Sequence, residues 1–397
     1  MITRSHFSLA IGGLGLTGGR SIGGPLYAQI GIADACNHQC VMYWDHPPDD
    51  RSNPDTENRF GGQPFKMMSL EDFTAIVDDL HVLGTRRIDL VARGEPLLNK
   101  SAIDMVAYAK SKGMYVDMVS NASPLTPQKN LGLLEAGLDR LQVSLNAGTP
   151  QTYPKIHVTE SPENYLKVKA NLRDLVEQRR SLGRNAPYIR VGFVISAKNY
   201  FEIREMVEAA VEIGADEAVF SHTTVHRATQ DLKLDEQAYS EFSQALPAAM
   251  DYARQTGIRT NLATLAATLP PYMVKDGLAA TPAMVPCYAG LYSVMILGNG
   301  SVMGCCQCTR PLGQASTNQR FRDIWNSESY QTFRQAARNL PAPNPALAGC
   351  ECDNCSLRAR NISVHNLIHP FNKIDPGDDA QLFRMSDLLR FRKQDRD

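Results

Sequence analysis

Between Cys40 and Cys287 the chain has no cysteine, although it carries 9 in its 397 residues. A disulfide framework spreads its cysteines through a small secreted scaffold, so that organisation is excluded. No run reaches the roughly 20 apolar residues of a membrane span. There is no block of Lys and Arg and no basic helix, and the formal net charge is -1, so the electrostatic footprint of a nucleic-acid binder is missing. Neither nucleic acid nor a membrane is expected as a partner. What remains is a hydrophobic content of 43%, which describes a soluble globular protein with material for a core, and a length that suits one large domain plus a smaller one. Arg4 and His6 followed by the apolar stretch Phe7 to Leu16 have the outline of a short signal peptide. Gly12, Gly13, Gly15, Gly18 and Gly19 interrupt or follow that stretch, and a flexible arm over residues 1–25 in a reducing cytoplasm is the expected reading.

The cysteines fall in two places. Near the N-terminus, after the apolar run Leu26 to Ala33, stands Cys36-Asn-His-Gln-Cys40-Val-Met-Tyr43. The other seven are Cys287, Cys305, Cys306, Cys308, Cys350, Cys352 and Cys355. Such clustering points to metal, either an iron–sulfur cluster or a structural zinc on four thiolates. Two thiols at helical spacing are, taken alone, often core residues. His38, His46, His157, His222 and His226 read individually as hydrogen-bonded surface or core groups, with His222 and His226 best placed to meet a substrate.

Between the cysteine regions, short apolar runs alternate with helical patterns. Ser69 reads as an N-cap followed by Glu71 and Asp72, with the helix ending near Gly84. Strands are predicted over Leu26–Ala33, Arg87–Ala92, Tyr115–Ser120, Leu141–Asn146, Ile189–Ser196 and Glu217–Ser221. Helices are predicted over Ala102–Lys112, near Leu131–Ala136, and over Glu163–Arg180 and Glu202–Ile213. Six strands in βα order imply a parallel sheet, and fewer than the eight of a closed barrel imply an open one. Chemistry in such sheets gathers at the carboxyl ends of the strands. Those ends carry Cys36 and Cys40, Arg93-Gly94-Glu95-Pro96, Ser120-Asn121, Ser144-Leu145-Asn146, and Gly192 with Ser196.

On these residues the segment 26–225 resembles the core of radical S-adenosylmethionine (SAM) enzymes, whose signature is CxxxCxxC. The resemblance implies an α/β fold, a partial (β/α)6 TIM-like barrel followed by a small cysteine-rich C-terminal domain. It implies that Cys36 and Cys40 ligate a [4Fe-4S] cluster whose open iron binds SAM, and that Met42 touches adenine. Gly94 and Glu95 would hold the SAM ammonium, and Ser144 and Asn146 the ribose or carboxylate. The chain departs from the signature at Tyr43, where a phenol, a poor replacement for a thiolate on iron, stands at the third cysteine position. The tail resembles the auxiliary-cluster domains called SPASM and twitch. Cys287, Gly300 and Cys305 fit their spacing, with a hairpin-like Leu297-Gly-Asn-Gly-Ser301 between, and Cys352-Asp-Asn-Cys355 supplies a pair. Cys287, Cys305, Cys352 and Cys355 would then hold an auxiliary [4Fe-4S] cluster in the four-ligand twitch manner, as in an aminocyclitol dehydrogenase, with Cys306, Cys308 and Cys350 in surplus.

The domain organisation expected is an arm (1–25), the core (26–225), a helical extension or linker (226–284), the auxiliary-cluster domain (285–370) and a C-terminal tail (371–397). Residues 45–66, rich in Pro, Asp, Asn and Gly, read as a lid or insert, and 260–284 as cavity lining. The function implied is reductive SAM cleavage to a 5′-deoxyadenosyl radical, then C–H abstraction and oxidation or epimerisation of a small polar, sugar-like or aminocyclitol-like substrate, with an external electron donor. Two alternatives stand beside it. One is a peptide- or protein-modifying maturase. The other is a degenerate, non-catalytic homologue acting as a binding or partner subunit, because Tyr43 replaces a cluster cysteine. The individual catalytic residues are not readable from the sequence.

Overall fold

The computed structural model describes residues 23–42, 66–91, 93–225, 227–267, 285–340, 342, 344–350, 352 and 357–369. Tyr43, His46, His226, Cys355, the arm before residue 23, the stretch 45–65, residues 268–284 and the tail beyond 369 lie outside them. Strand β1 (Tyr27–Ile30) is followed by α1 (Leu70–Val82), β2 (Arg87–Leu90), α2 (Ala102–Ser111), β3 (Tyr115–Ser120), α3 (Pro127–Ala136) and β4 (Arg140–Ser144). Next come α4 (Tyr153–Ile156), α5 (Pro162–Ser181), β5 (Tyr188–Ile195), α6 (Ile203–Ile213), β6 (Glu217–His222), α7 (Glu236–Thr256), β7 (Arg259–Thr260) and α8 (Leu262–Ala266). The tail adds α9 (Ala289–Tyr292), β8 (Ser293–Ile296), β9 (Ser301–Met303), β10 (Pro311–Gln314), α10 (Phe321–Trp325), α11 (Glu328–Arg338) and α12 (Arg358–Ile368).

The ten strands among the described residues belong to one open sheet in the order β10-β9-β8-β1-β2-β3-β4-β5-β6-β7. Neighbours from β8 through β1 to β7 pair in parallel. β9 and β10 complete an antiparallel meander whose first turn is the expected hairpin at Leu297–Ser301. Helices begin where local chemistry dictates. The Ser69 hydroxyl accepts the Asp72 N–H at 3.0 Å and caps α1, with Glu71 and Asp72 in the first turn. On α6 the buried Ile203, Met206, Val207, Ala210 and Ile213 recur at helical spacing and form the face turned to the sheet.

Along β5 alternate residues Ile189, Val191, Phe193 and Ile195 are buried while their neighbours are half-buried. Period-two alternation therefore gives the sheet an apolar face packed on the helices and a second, polar face. At the amino ends of the strands this second face is charged. Asp117 accepts from Arg87 at 3.0 Å and from Arg140 at 2.9 Å, and Glu217 from Arg190 at 2.8 Å. These pairs close the lower end of the polar face and leave its carboxyl end to the site.

The tail does not form a sheet of its own. β8 pairs with β1 from Tyr27↔Ser293 to Ile30↔Ile296, extended by Leu26 N–H to Tyr292 O and Gly31 N–H to Ile296 O, each 2.7 Å. Side chains fasten it further. Trp325 Nε1 donates to Gly23 O at 2.9 Å, and Arg320 donates to the buried Asp79 of α1 at 3.0 and 2.6 Å. The Arg320 side chain is 37% exposed, so it regains water when its partner is removed. The Asp79→Ala cost therefore falls below the full penalty of a broken buried pair, at about 1–3 kcal/mol. Chemical denaturation read by fluorescence checks this, and an unchanged midpoint contradicts it.

Candidate functional site

Leaving the sheet, the chain after β1 runs across the carboxyl ends of β2 and β3. Gly94 makes that crossing possible. A Cβ at this position would lie 2.2 Å from Ala35 O and 2.6 Å from Ala33 O, so only glycine lets the end of β2 lie flat against the backbone that leads into Cys36. Glu95 N–H donates to Ala35 O at 2.9 Å and completes the splice.

The Glu95 side chain is buried and held by the protein. Oε1 accepts from Leu97 N–H at 3.0 Å and from the Ser120 hydroxyl at 2.8 Å, and Oε2 accepts from Asn121 N–H at 2.7 Å. Burial raises its pKa, while the Asn121, Leu97 and Ser120 donors oppose the rise. A carboxylate offers about four acceptor positions, so one on Oε2 is left for a ligand donor. Asn121 Nδ2 donates to Asn37 Oδ1 at 3.0 Å and stands 4.0 Å from Cys36 Sγ, and His38 N–H approaches the same sulfur at 3.4 Å. Burial pushes the Cys36 thiol up, and the His38 N–H works the other way.

Cys40 is fixed from the opposite side. Val41 N–H donates to Ile156 O at 3.0 Å and Val158 N–H to Gln39 O at 2.8 Å, a short antiparallel bridge that lays Cys40 beside His157. Cys40 Sγ is 3.1 Å from His157 Nδ1, and His157 Nε2 is 3.1 Å from Leu145 O, the residue between Ser144 and Asn146. A carbonyl only accepts, so Nε2 carries the proton and Nδ1 faces the thiol as an acceptor. Burial, with Cys36 and Glu160 adding, holds the Cys40 thiol well above the usual range, and burial lowers His157 to about 3 and His38 to about 4. Both imidazoles are neutral at neutral pH. His38 Nδ1 and the Tyr153 hydroxyl have no hydrogen-bond partner among the described residues, and His38 Nε2 is 3.5 Å from Glu160 Oε1, outside hydrogen-bonding geometry.

The remaining predicted residues take different places. Met42 is half-buried at the last described position of the loop. Ser144 is half-buried at the end of β4, opposite Gly192. Asn146 is buried with φ 58°, and it spends its side-chain oxygen on Val194 N–H at 3.0 Å and its carbonyl on Asn199 Nδ2 at 2.8 Å. That is a structural task, joining the ends of β4 and β5. Cys36 with Glu95, and Cys40 with the 144–146 segment, are thus linked through Asn121 and His157. His157 and Tyr153 were missed as members of this group. Their only sequence signal was composition, because the pairing of Cys40 with His157 spans 117 residues.

In the tail, Cys287 is half-buried and its thiol is pushed up to about 11, first by desolvation, with smaller contributions from Cys352 and Cys306. Asn361 Nδ2 lies 3.6 Å from its sulfur. Cys305, expected beside Cys287, has its sulfur 3.5 Å from Cys308, which forms a disulfide with Cys350. Cys306 packs with Met295, Leu297 and Met303. The hairpin turn also reaches the first cysteine region. Asp34 accepts Gly298 N–H at 2.9 Å, and a Cβ on Gly298 would lie 2.6 Å from Lys66 O.

Comparison with known proteins decides what this site belongs to. The radical SAM superfamily model matches residues 32–184, and the SPASM model, an iron–sulfur cluster-binding domain, matches 287–356. The chain carries a radical SAM domain and a SPASM domain. Those domains indicate a [4Fe-4S] cluster with SAM and auxiliary iron–sulfur clusters. The donor sets fit them. Two thiols of the first loop sit under the strand ends with N–H groups aimed at Cys36 Sγ, and Cys287, Cys305 and Cys306 pack against one apolar cluster in the tail.

The chain is 23% identical over 347 residues to the tungsten-containing aldehyde ferredoxin oxidoreductase cofactor-modifying protein of Pyrococcus furiosus, covering 84% of this chain and 87% of that one. SuiB of Streptococcus suis bound to precursor peptide SuiA shares its fold with TM-score 0.57 at 12% identity, over 90% of this chain and 77% of that one. So does anSMEcpe with bound AdoMet, with TM-score 0.55 at 12% identity, over 92% and 99%. Among the described residues no helix is long and apolar enough to cross a membrane.

The backbone that leads into Cys36 depends on the close approach at Gly94. Gly94→Ala is expected to cost roughly 1–3 kcal/mol or more, because backbone on both sides must move. A thermal unfolding midpoint equal to wild type would show that the contact is not required.

Proposed function

We propose that the protein is a radical SAM oxidoreductase or epimerase, acting on a C–H bond of a small polar substrate and located in the cytoplasm. The open parallel sheet is read as the partial (β/α)6 barrel of the superfamily, with its carboxyl edge as the reaction face. The observation that carries the proposal is the splice of Gly94-Glu95 onto Ala35, which sets a buried carboxylate with one acceptor position beside Cys36. When bound, the cluster and SAM supply an electron to the sulfonium and a 5′-deoxyadenosyl radical able to abstract hydrogen. Glu95 would accept from the SAM ammonium through Oε2, its charge kept in place by Asn121, Leu97 and Ser120. Met42 would lie against adenine, and Ser144 and the Asn146 amide would meet the ribose or carboxylate.

In the tail, the packing of Cys287 and Cys305 against one apolar cluster supports reading Cys287 and Cys305, with Cys352 and Cys355, as ligands of an auxiliary cluster. Cys305 Sγ also lies 3.5 Å from Cys308 Sγ. A cluster there is suited to accept an electron from the substrate radical, which favours oxidation. A second reading, a peptide substrate, is supported by the fold shared with peptide-bound SuiB.

Under anaerobic conditions with a strong reductant, the reconstituted protein is expected to convert SAM to 5′-deoxyadenosine. Glu95→Gln is expected to weaken SAM binding about 10- to 100-fold, the loss of one hydrogen bond between charged groups. If iron-loaded wild type makes no 5′-deoxyadenosine and Tyr43→Cys does, the protein is the degenerate homologue and the catalytic reading fails.

A further inference from the structure

Helix α11 carries a buried charge that the reaction face does not use. Arg334 is 1% exposed, and its guanidinium lies between two rings, 4.1 Å from the centroid of Trp325 and 4.2 Å from that of Tyr330. Nε donates to Gly290 O at 2.8 Å, while Nη1 and Nη2 have no hydrogen-bond partner among the described residues. Burial lowers its pKa to about 10, so the group remains cationic at neutral pH. The ring faces attract a cation but offer no lone pair to the N–H groups at its edge. A buried charge without an ionic partner is costly, which makes an anion bound from outside the chain its complement.

We propose that Arg334 is the buried countercharge of the auxiliary iron–sulfur cluster and raises its reduction potential. The proposal rests on reading Cys287 and Cys305, with Cys352 and Cys355, as the ligands of that cluster. Position is the first argument. Tyr330, Phe333, Arg334 and Ala337 recur at helical spacing on the buried face of α11, and that face meets both cysteine segments. Ala337 O accepts the Cys287 N–H at 3.0 Å, and Gly290, whose carbonyl accepts from Arg334 itself, follows Cys287 by three residues. Nearer the other end, a Cβ on Gly304, the residue before Cys305, would lie 2.3 Å from the Phe333 ring. Arg334 therefore stands on the helix face that packs on the backbone at Cys287 and beside Cys305.

Charge is the second argument. A cluster on four thiolates is net negative and becomes more so on reduction, and net charge is among the terms that set its potential. A fixed cation in a low-dielectric interior favours the more negative, reduced state. A cluster biased in this way is suited to take one electron from a substrate radical, whose proton leaves to solvent. An arginine that only held Gly290 O and filled the gap between two rings would be indifferent to the charge of the cluster, and that difference can be measured.

The test reads the tail cluster alone, in the full-length chain carrying Cys36→Ala and Cys40→Ala, reconstituted anaerobically and titrated potentiometrically with electron paramagnetic resonance. Arg334→Met removes charge and donor, Arg334→Gln removes the charge but keeps a donor for Gly290 O, and Arg334→Lys keeps the charge. The expected result is a midpoint potential lowered in Arg334→Met and Arg334→Gln and close to that of the parent chain in Arg334→Lys, with undiminished iron. Equal midpoints in all four proteins overturn the proposal and leave the auxiliary cluster standing. A midpoint that falls as far in Arg334→Lys as in Arg334→Gln overturns it as well, because the side chain then acts through its shape. Loss of tail iron from both neutral variants but not from Arg334→Lys shows the same need for charge, read as occupancy. Loss from all three overturns the proposal, and a parent chain without tail iron overturns both it and the ligand reading.

Discussion

Strand β1 is the element on which the rest depends, because it is hydrogen-bonded on both sides in parallel and both neighbours end in functional chemistry. On one side it pairs with β2, whose end supplies Gly94 and Glu95. On the other it pairs with β8, which leads into the hairpin and the tail cysteines. The loop that follows β1 carries Cys36 and Cys40. Parallel pairing aligns the carboxyl ends of all three strands at one edge, so backbone hydrogen bonds bring together two cysteine regions far apart in sequence. Asp34, bonded to Gly298 from within the loop, ties the two regions directly.

Around that edge the polar groups are held before any ligand arrives. Glu95 has three donors from the protein, Asn121 spans Glu95 and the Cys36 loop, and His157 has its tautomer set by Leu145. Such groups lose little further freedom on binding, which is where preorganised sites gain affinity. Burial works in the same direction for the histidines by keeping them uncharged, and against the thiols, whose deprotonation has to be driven by metal.

Much of this was legible in the sequence. The six strands in βα order were visible because apolar runs of strand length alternate with helical periodicity, and Ser69 was readable as an N-cap because its hydroxyl accepts from Asp72. The positions of Cys36, Gly94, Glu95 and Asn121 followed from the rule that strand ends gather chemistry. The two-residue β7 is too short to leave a pattern. The insertion of β8 beside β1 is a long-range pairing with no local signature, and the tail read as a separate unit for that reason. Cys305 and Cys306 are not told apart by spacing, and in the fold both pack with Cys287 against one apolar cluster. His157 looked like an isolated core histidine until the bridge to Cys40 gave it a partner.

The most direct measurement of the central claim is iron and acid-labile sulfide per chain, after anaerobic reconstitution, in wild type and in a Cys36→Ala/Cys40→Ala double variant. The account predicts that the variant loses about four irons and keeps those of the tail, the signature of one [4Fe-4S] cluster at the end of β1. Equal iron in the two proteins would contradict it, leaving the Cys36 loop without a cluster and the radical chemistry without a source.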